Sequence, residues 1–266
     1  MKIPALTGLI EKRILINYRV EPAVLKKLLP SPFEPKLFGN YGIAGICFFH
    51  INHLKIKGLP FLPGISAENV SHRIAVTWEE AGIRKEGLYI PRRDTSSLII
   101  HSAGGKIFPG MHKLGRFKTR EANGYYELHL TNRDQTRLSF LAKETTAFSH
   151  GSVFSDLHSA ADLFAQNSLE YAPRFKNMIY DGIAFRANRQ KVQPLHICQM
   201  RSDFFENEET FPKGSVFFDH ALLMKNIRSE WTALPELLAP KPARFLAPAI
   251  TRPFTDDREG TLRSGH

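Results

Sequence analysis

Hydrophobic and polar residues alternate with a period near two over much of this chain, the pattern of strands buried on one face. Residues 13–20 are rich in β-formers and partly alternating, which predicts a strand. Pro22 follows at a first-turn position, where its missing N–H costs nothing. Val24, Leu25, Leu28 and Leu29 then fall on one face, with Lys26 and Lys27 on the other, which predicts a short helix. Pro30 and Pro32 stop it. Residues 41–53 are apolar enough for a strand buried on both faces, and residues 71–78 and 87–90 read as further strands. From 91 to 115 the pattern lapses into a long loop punctuated by Pro91, Gly104-Gly105, Pro109-Gly110 and Gly115. Residues 116–120, 125–130 and 138–144 predict a meander, with Asn123-Gly124 as one turn and residues 132–135 as the next. Ser155 or Asp156 caps a helix to about Gln166. Late strands follow at 192–201 and 215–223, and after Trp231 the period is lost.

About nine closely spaced strands with two or three helices predict a β-rich α+β fold. Most connections are hairpin-like, so the sheet is expected to be largely antiparallel and curled or closed into a barrel with flanking helices. The pattern predicts one domain over residues 1–233 and a Pro-rich, loosely held tail over 234–266.

Composition changes this picture little. The 266 residues are 42% hydrophobic and 23% charged, which excludes a wholly disordered chain, a coiled coil and a multi-span membrane protein. No apolar run approaches the ~18 residues of a membrane span, and the first residues make no convincing signal peptide. Cys47 and Cys198 are far apart and form no C-x-x-C pair, so free buried thiols and a reducing cytoplasm are expected. The net charge of +10 changes more. Between residues 84 and 120 nine basic side chains face only Glu86 and Asp94. They are interleaved with turn formers and apolar residues, which fits a lined pocket better than a basic tail. No nucleic-acid motif and no aromatic-basic stripe accompany them, so no nucleic-acid partner is expected.

Candidate chemistry clusters in three places. The Glu68 to Arg73 segment is either a polar turn before a strand or a pocket carboxylate with His72 and Arg73 beside it. Arg92-Arg93-Asp94 is either surface loop or a guanidinium clamp for a carboxylate, with Asp94 orienting one arginine. The glycine-rich stretch from Gly104 to Gly115 holds His112 and Lys113 in a constrained loop, with Arg116 following. A lysine among cations has a depressed pKa and becomes nucleophilic; the alternative is a solvated loop lysine. His50 and His53 are three apart, which on a strand puts them on opposite faces, so no metal site is expected. Dinucleotide, Walker, nucleophile-elbow and zinc-protease motifs are absent.

At these residues the chain resembles a known group. Tyr18-Arg19, Leu25-x-x-Leu28-Leu29-Pro30 and Phe33-Glu34-Pro35 are similar to the N-terminal pattern of the acetoacetate decarboxylase-like superfamily. Closer still, Tyr89 to Ser97, Gly104 to Gly110 and Phe217 to Met224 resemble an uncharacterised bacterial family within it, domain of unknown function 2071. The resemblance runs from about residue 13 to Trp231. It implies a curved sheet closing into a cone or barrel around a pocket, often in a homo-oligomer. In the decarboxylases a lysine forms an imine with a β-keto acid, and a neighbouring lysine depresses its pKa. Aligned on Leu114-Gly115, this chain has His112 at the nucleophile position and Lys113 at the neighbour position. Histidine cannot form the imine, so that chemistry requires the loop to turn Lys113 inward. Glu68 falls near a catalytic carboxylate of the decarboxylases.

The resulting expectation is a pocket for a small oxo-acid or other anionic carbonyl-type ligand, with no cofactor. Glu68, His112 and Lys113 are the candidate catalytic residues of a lyase-like enzyme. Arg92, Arg93, Asp94, His72 and Arg116 are the candidate substrate contacts. The competing expectation is a non-catalytic binding or sensor protein that lacks the Schiff-base lysine.

Overall fold

The computed structural model describes residues 5–238, apart from residues 60, 62, 107, 164–166, 175–178 and 189–190. Its strands are β1 (Leu6–Val20), β2 (Glu34–Pro35), β3 (Leu37–Phe38), β4 (Tyr41–Ile56), β5 (Ile65–Glu80), β6 (Ile83–Thr95), β7 (Lys113–Ala122), β8 (Tyr125–Asn132), β9 (Arg137–Glu144), β10 (Asn167–Pro173), β11 (Ile179–Ala187), β12 (Val192–Ser202) and β13 (Val216–Leu238). Short helices α1 (Pro22–Leu28), α2 (Leu98–Ala103) and α3 (Leu157–Asp162) interrupt them. No helix among the described residues is long and apolar enough to cross a membrane.

All thirteen strands belong to one mixed sheet that curls back on itself. The pairings β13–β1, β1–β4, β4–β5 and β5–β6 make a continuous antiparallel wall. On one side β6 pairs with β10 in parallel, β10 with β11, and β11 with β13, which closes a seven-stranded ring. On the other side β7, β8, β9 and β12 run from β6 back to β13. The five-stranded wall therefore has an apolar core on each face. Ile14, Ile16, Phe48, Val70, Ile74 and Leu128 belong to one, and Ile10, Leu15, Ile43, Ile51, Leu88 and Leu222 to the other. Each such aliphatic side chain contributes ~1.5–3 kcal/mol by burial.

Strict alternation would send some side chains to the wrong core, and two bulges correct this. The β1–β4 register shifts between Ile10 and Lys12, so Ile10 and Arg13 share a face although they are three apart. In the β5–β6 pairing His72 opposes Arg92 while Ile74 opposes Tyr89, so β6 carries an extra residue near Pro91. A proline lacks the N–H a ladder needs and is tolerated in a strand at such a bulge. Beyond it Arg93 joins the face of Leu88 and Ile90 instead of that of Tyr89.

Several expectations need correction. The loop expected from Pro91 begins later: β6 continues to Thr95, with Ser71 and Asn69 opposite Arg93 and Thr95. The expected tail boundary at 234 falls inside β13, whose Leu234, Leu237 and Leu238 pair with β11. Residues 239–266 lie outside the described residues. β10 and β11 were not foreseen, and α3 ends at Asp162, with Asp156 as its cap; the expected end at Gln166 lies outside the described residues. The meander and its Asn123-Gly124 turn, both at positive φ, stand as expected.

The Phe217 to Met224 segment opens β13 and carries a buried polar network. Asn17 Nδ2 donates to His220 Nε2 at 2.9 Å. That fixes the tautomer, so His220 Nδ1–H donates to Asp219 Oδ1 at 2.5 Å. Asp219 also accepts from the Ser152 hydroxyl and the Val153 amide, at 2.5 and 2.9 Å. This segment thus ties the 148–156 loop to the wall.

The parallel seam between β6 and β10 depends on Gly87. A Cβ there would collide with the Leu169 carbonyl oxygen and lie 3.1 Å from Trp78 ring atoms. Gly87→Ala is expected to cost about 1–3 kcal/mol in urea unfolding, the usual scale of overpacking. A variant as stable as the parent would mean that the seam tolerates opening.

Candidate active-site cavity

The seven-stranded ring encloses a cavity of two adjoining lobes, each about 60 Å³. Phe49, Asn69, Arg93, His112 and Trp231 line both. The first lobe adds Arg13, Cys47, Ser71, Arg73 and Glu170; the second adds Ile51, Phe108 and Ile183. One lobe is thus charged and the other largely apolar.

Three guanidinium groups converge on the charged lobe. Arg13 enters from β1, and its Nε donates to Cys47 Sγ at 3.4 Å. Its guanidinium lies 5.0 Å from the centre of the Phe185 ring, a cation–π contact. Arg13 Nη1 is buried without a hydrogen-bond partner. Arg73 enters from β5 and is wholly buried. Burial pushes it down to about 10, while Cys47 and Glu170 pull it back up. Arg93 enters from β6; its Nη2 pairs with Glu170 Oε2 at 3.2 Å and its Nη1 donates to the Pro109 carbonyl at 3.2 Å. The Ser168 hydroxyl steadies the other Glu170 oxygen at 3.1 Å. Glu170, and behind it Asp181, answer the charge of Arg93.

The glycine-rich stretch closes the cavity. Gly105 and Gly110 both adopt positive φ, which only glycine takes without strain. The Gly110 amide donates to Asp181 Oδ2 at 2.9 Å, and His101 Nδ1 donates to the His112 carbonyl at 2.6 Å. These bonds hold the His112 ring in both lobes, with Nδ1 unpartnered. Burial, and secondarily Arg93, lowers its pKa from 6.5 to about 3, so the imidazole is neutral at pH 7.

Of the residues expected from the sequence, Arg93 and His112 project into this cavity. Asp94 borders it, but its carboxylate accepts from Arg92 and from Asn132 Nδ2 at 2.7 Å. The others lie elsewhere. Lys113 follows His112 at the start of a strand and so points the opposite way. Its ammonium sits 2.5 Å from Asp134, half-exposed. Arg92 likewise alternates with Arg93; its Nε donates to both Asp94 oxygens at 3.0 Å, and its Nη1 to Asp134. His72 packs on the opposite face, 4.4 Å from the Phe204 ring centre. Glu68 shares that parity and accepts from the Ser96 hydroxyl at 2.9 Å, outside the cavity. Arg116 is exposed on β7. Most of the basic segment is therefore surface, including Arg84, Lys106, Lys118 and Arg120. The sequence reading missed Arg13, Cys47, Arg73 and Glu170 as a site. The signal for the arginines was a charged residue at an inward position of an otherwise apolar strand. Among the described residues no group of three or more His, Cys, Asp or Glu is placed to hold a metal ion.

A family model described as an uncharacterized conserved protein, DUF2071, matches residues 10–159. The chain belongs to this family. The matched stretch carries Arg13, Cys47, Arg73, Arg93 and His112; Glu170 lies beyond it. No curated protein matches the chain. Solved structures do match in fold. An acetoacetate decarboxylase-like enzyme from Sphingomonas wittichii RW1 aligns with TM-score 0.55 and 12% identity, over 88% of this chain and 94% of that one. Acetoacetate decarboxylase from Legionella pneumophila aligns with TM-score 0.53 and 10% identity, over 87% of each. The enduracididine biosynthesis enzyme MppR, complexed with pyruvate, aligns with TM-score 0.52 and 11% identity, over 90% of this chain and 91% of that one. The likeness at these identities is one of fold, and it makes this DUF2071 protein acetoacetate decarboxylase-like in architecture.

His72 and His112 give the protein an acid-sensitive signature. Burial lowers both from 6.5 to about 3. Between those values the unfolded chain binds the extra protons, so stability is present above pH 6.5 and is lost as pH falls toward 3. Replacing His72 by Phe is expected to reduce the slope of stability against pH in this window by about 1 kcal/mol per pH unit. Urea midpoints measured from pH 7 to pH 4 read this directly, and an unchanged slope would contradict it.

Proposed function

We propose that this protein captures a small oxo-acid, its carboxylate held by Arg13, Arg73 and Arg93, without forming an imine through a lysine. One observation carries this reading: three guanidiniums, those of Arg13, Arg73 and Arg93, line one lobe with only Asp94 and Glu170 as carboxylates among its described lining, and no described lysine lines the cavity. Arginine binds carboxylates with paired, charge-assisted hydrogen bonds, which are strongest where water is excluded. The size agrees. One water needs ~10–15 Å³ on this measure, so each lobe suits a few non-hydrogen atoms. The apolar second lobe would take a methyl or short alkyl end. The pyruvate complex of MppR supports an oxo-acid as the ligand class.

A second reading is lyase-type turnover, supported by the acetoacetate decarboxylase-like fold and by one local observation. His112 and Glu170 both line the charged lobe. A neutral imidazole and a carboxylate are a pair able to move a proton on a bound oxo-acid.

Pyruvate and acetoacetate are expected to raise the melting temperature of the protein. Arg93→Gln should weaken their binding about tenfold or more, the scale of one charge-assisted pair. Borohydride reduction in their presence should leave no adduct on Lys113 by mass spectrometry. Stabilisation without loss of the acid supports capture. Consumption of the acid supports the lyase reading. Neither acid stabilising the protein would refute the oxo-acid assignment.

A further inference from the structure

Among the described residues Cys47 is the one thiol that lines the cavity, and neither reading uses it. It sits on β4 between Leu15 of β1 and Ser71 of β5, with its side chain in the charged lobe. Arg13 Nε donates to its sulfur at 3.4 Å. Arg73 and Arg93 line the same lobe, and Cys47 acts electrostatically on both. The thiol therefore lies among guanidiniums that can hold an anionic partner beside it. Independently, Arg13 lines the lobe, is 3% exposed, and leaves its Nη1 donor buried without a hydrogen-bond partner. Cys198, by contrast, is exposed on β12.

Building on the oxo-acid reading, we propose that Cys47 is the covalent capture residue of this pocket and adds reversibly to the keto carbon of a bound 2-oxo acid to form a thiohemiketal. The sulfur electron pair forms the new C–S bond, and the C=O π pair moves onto oxygen. The proton lost from the thiol ends on that oxygen, so nothing leaves and no oxidant or reductant is needed. The arginines hold the carboxylate and stabilise the developing alkoxide, as donors placed ahead of the charge do. A thiol would thereby take the covalent role that a lysine imine fills in the decarboxylases.

The two cysteines of the chain make an internal comparison. Native protein is alkylated with iodoacetate or iodoacetamide, and each site is quantified by peptide mass spectrometry. The iodoacetate-to-iodoacetamide rate ratio at Cys47 is expected to exceed that at Cys198 by about tenfold or more, because the guanidiniums concentrate the anion. Pyruvate should protect Cys47 and leave Cys198 unaffected. With [2-¹³C]pyruvate, a protein-bound tetrahedral carbon resonance should appear and be lost in Cys47→Ala. Equal ratios at the two cysteines would overturn the proposal. So would pyruvate that raises the melting temperature without a tetrahedral carbon, an outcome that leaves oxo-acid binding intact. Pyruvate that neither stabilises the protein nor protects Cys47 would remove the oxo-acid reading and the adduct with it.

Discussion

Three guanidinium groups share one small enclosed space, and much of the architecture around the cavity answers that constraint. Each loses its hydration, and like charges in a low-dielectric interior repel strongly. The compensation is assembled from separate strands. Glu170 on β10 pairs with Arg93, the Phe185 ring on β11 covers Arg13, and the Cys47 sulfur on β4 accepts from Arg13. None of these partners is near its arginine in sequence. Glu170 and Phe185 reach their arginines because β10 and β11 close the ring between β6 and β13, whereas Cys47 meets Arg13 across the β1–β4 pairing. Closure of the ring and charge compensation are thus one structural fact seen twice.

Three arginines and two carboxylates, Asp94 and Glu170, line the charged lobe, which leaves an excess of positive charge there. A buried cluster of like charge costs stability, and such sites are usually retained for binding or chemistry. An anion supplied from outside would complete what Glu170 begins. In the proposed binding mode the apolar lobe would orient that anion, with its carboxylate toward the arginines and its other end against Phe108 and Ile183. His112 and Cys47 then stand on the walls between those ends.

Neighbouring residues repeatedly have opposite fates. Arg92 binds Asp94 and Asp134 at the outer side, while Arg93 enters the cavity. Lys113 meets Asp134 near solvent, while His112 turns in. His72 packs on Phe204, while Arg73 faces the ligand space. Alternation explains each pair, but the sign of the alternation was not legible. It is set by bulges, and the one at Pro91 hides in a segment whose proline and glycines read as loop. β10 and β11 were illegible for a related reason: Pro173 and Gly182 weaken the local pattern, and pairing partners far away in the chain hold them in place.

The sequence by itself determined the β-rich class, the hairpin meander, the first helix and the membership of the DUF2071 family, because periodicity, turn residues and short motifs are local properties. Of the candidates it offered, Arg93 and His112 line both lobes of the cavity. It could not determine which of two adjacent charges faces inward, nor that Arg13, Cys47, Arg73, Arg93 and Glu170 share one lobe. Those facts depend on strand register, on two bulges and on ring closure, which are set by contacts between residues many positions apart. Only the tertiary structure therefore decided that arginines and a thiol line this pocket, with Lys113 turned away from it.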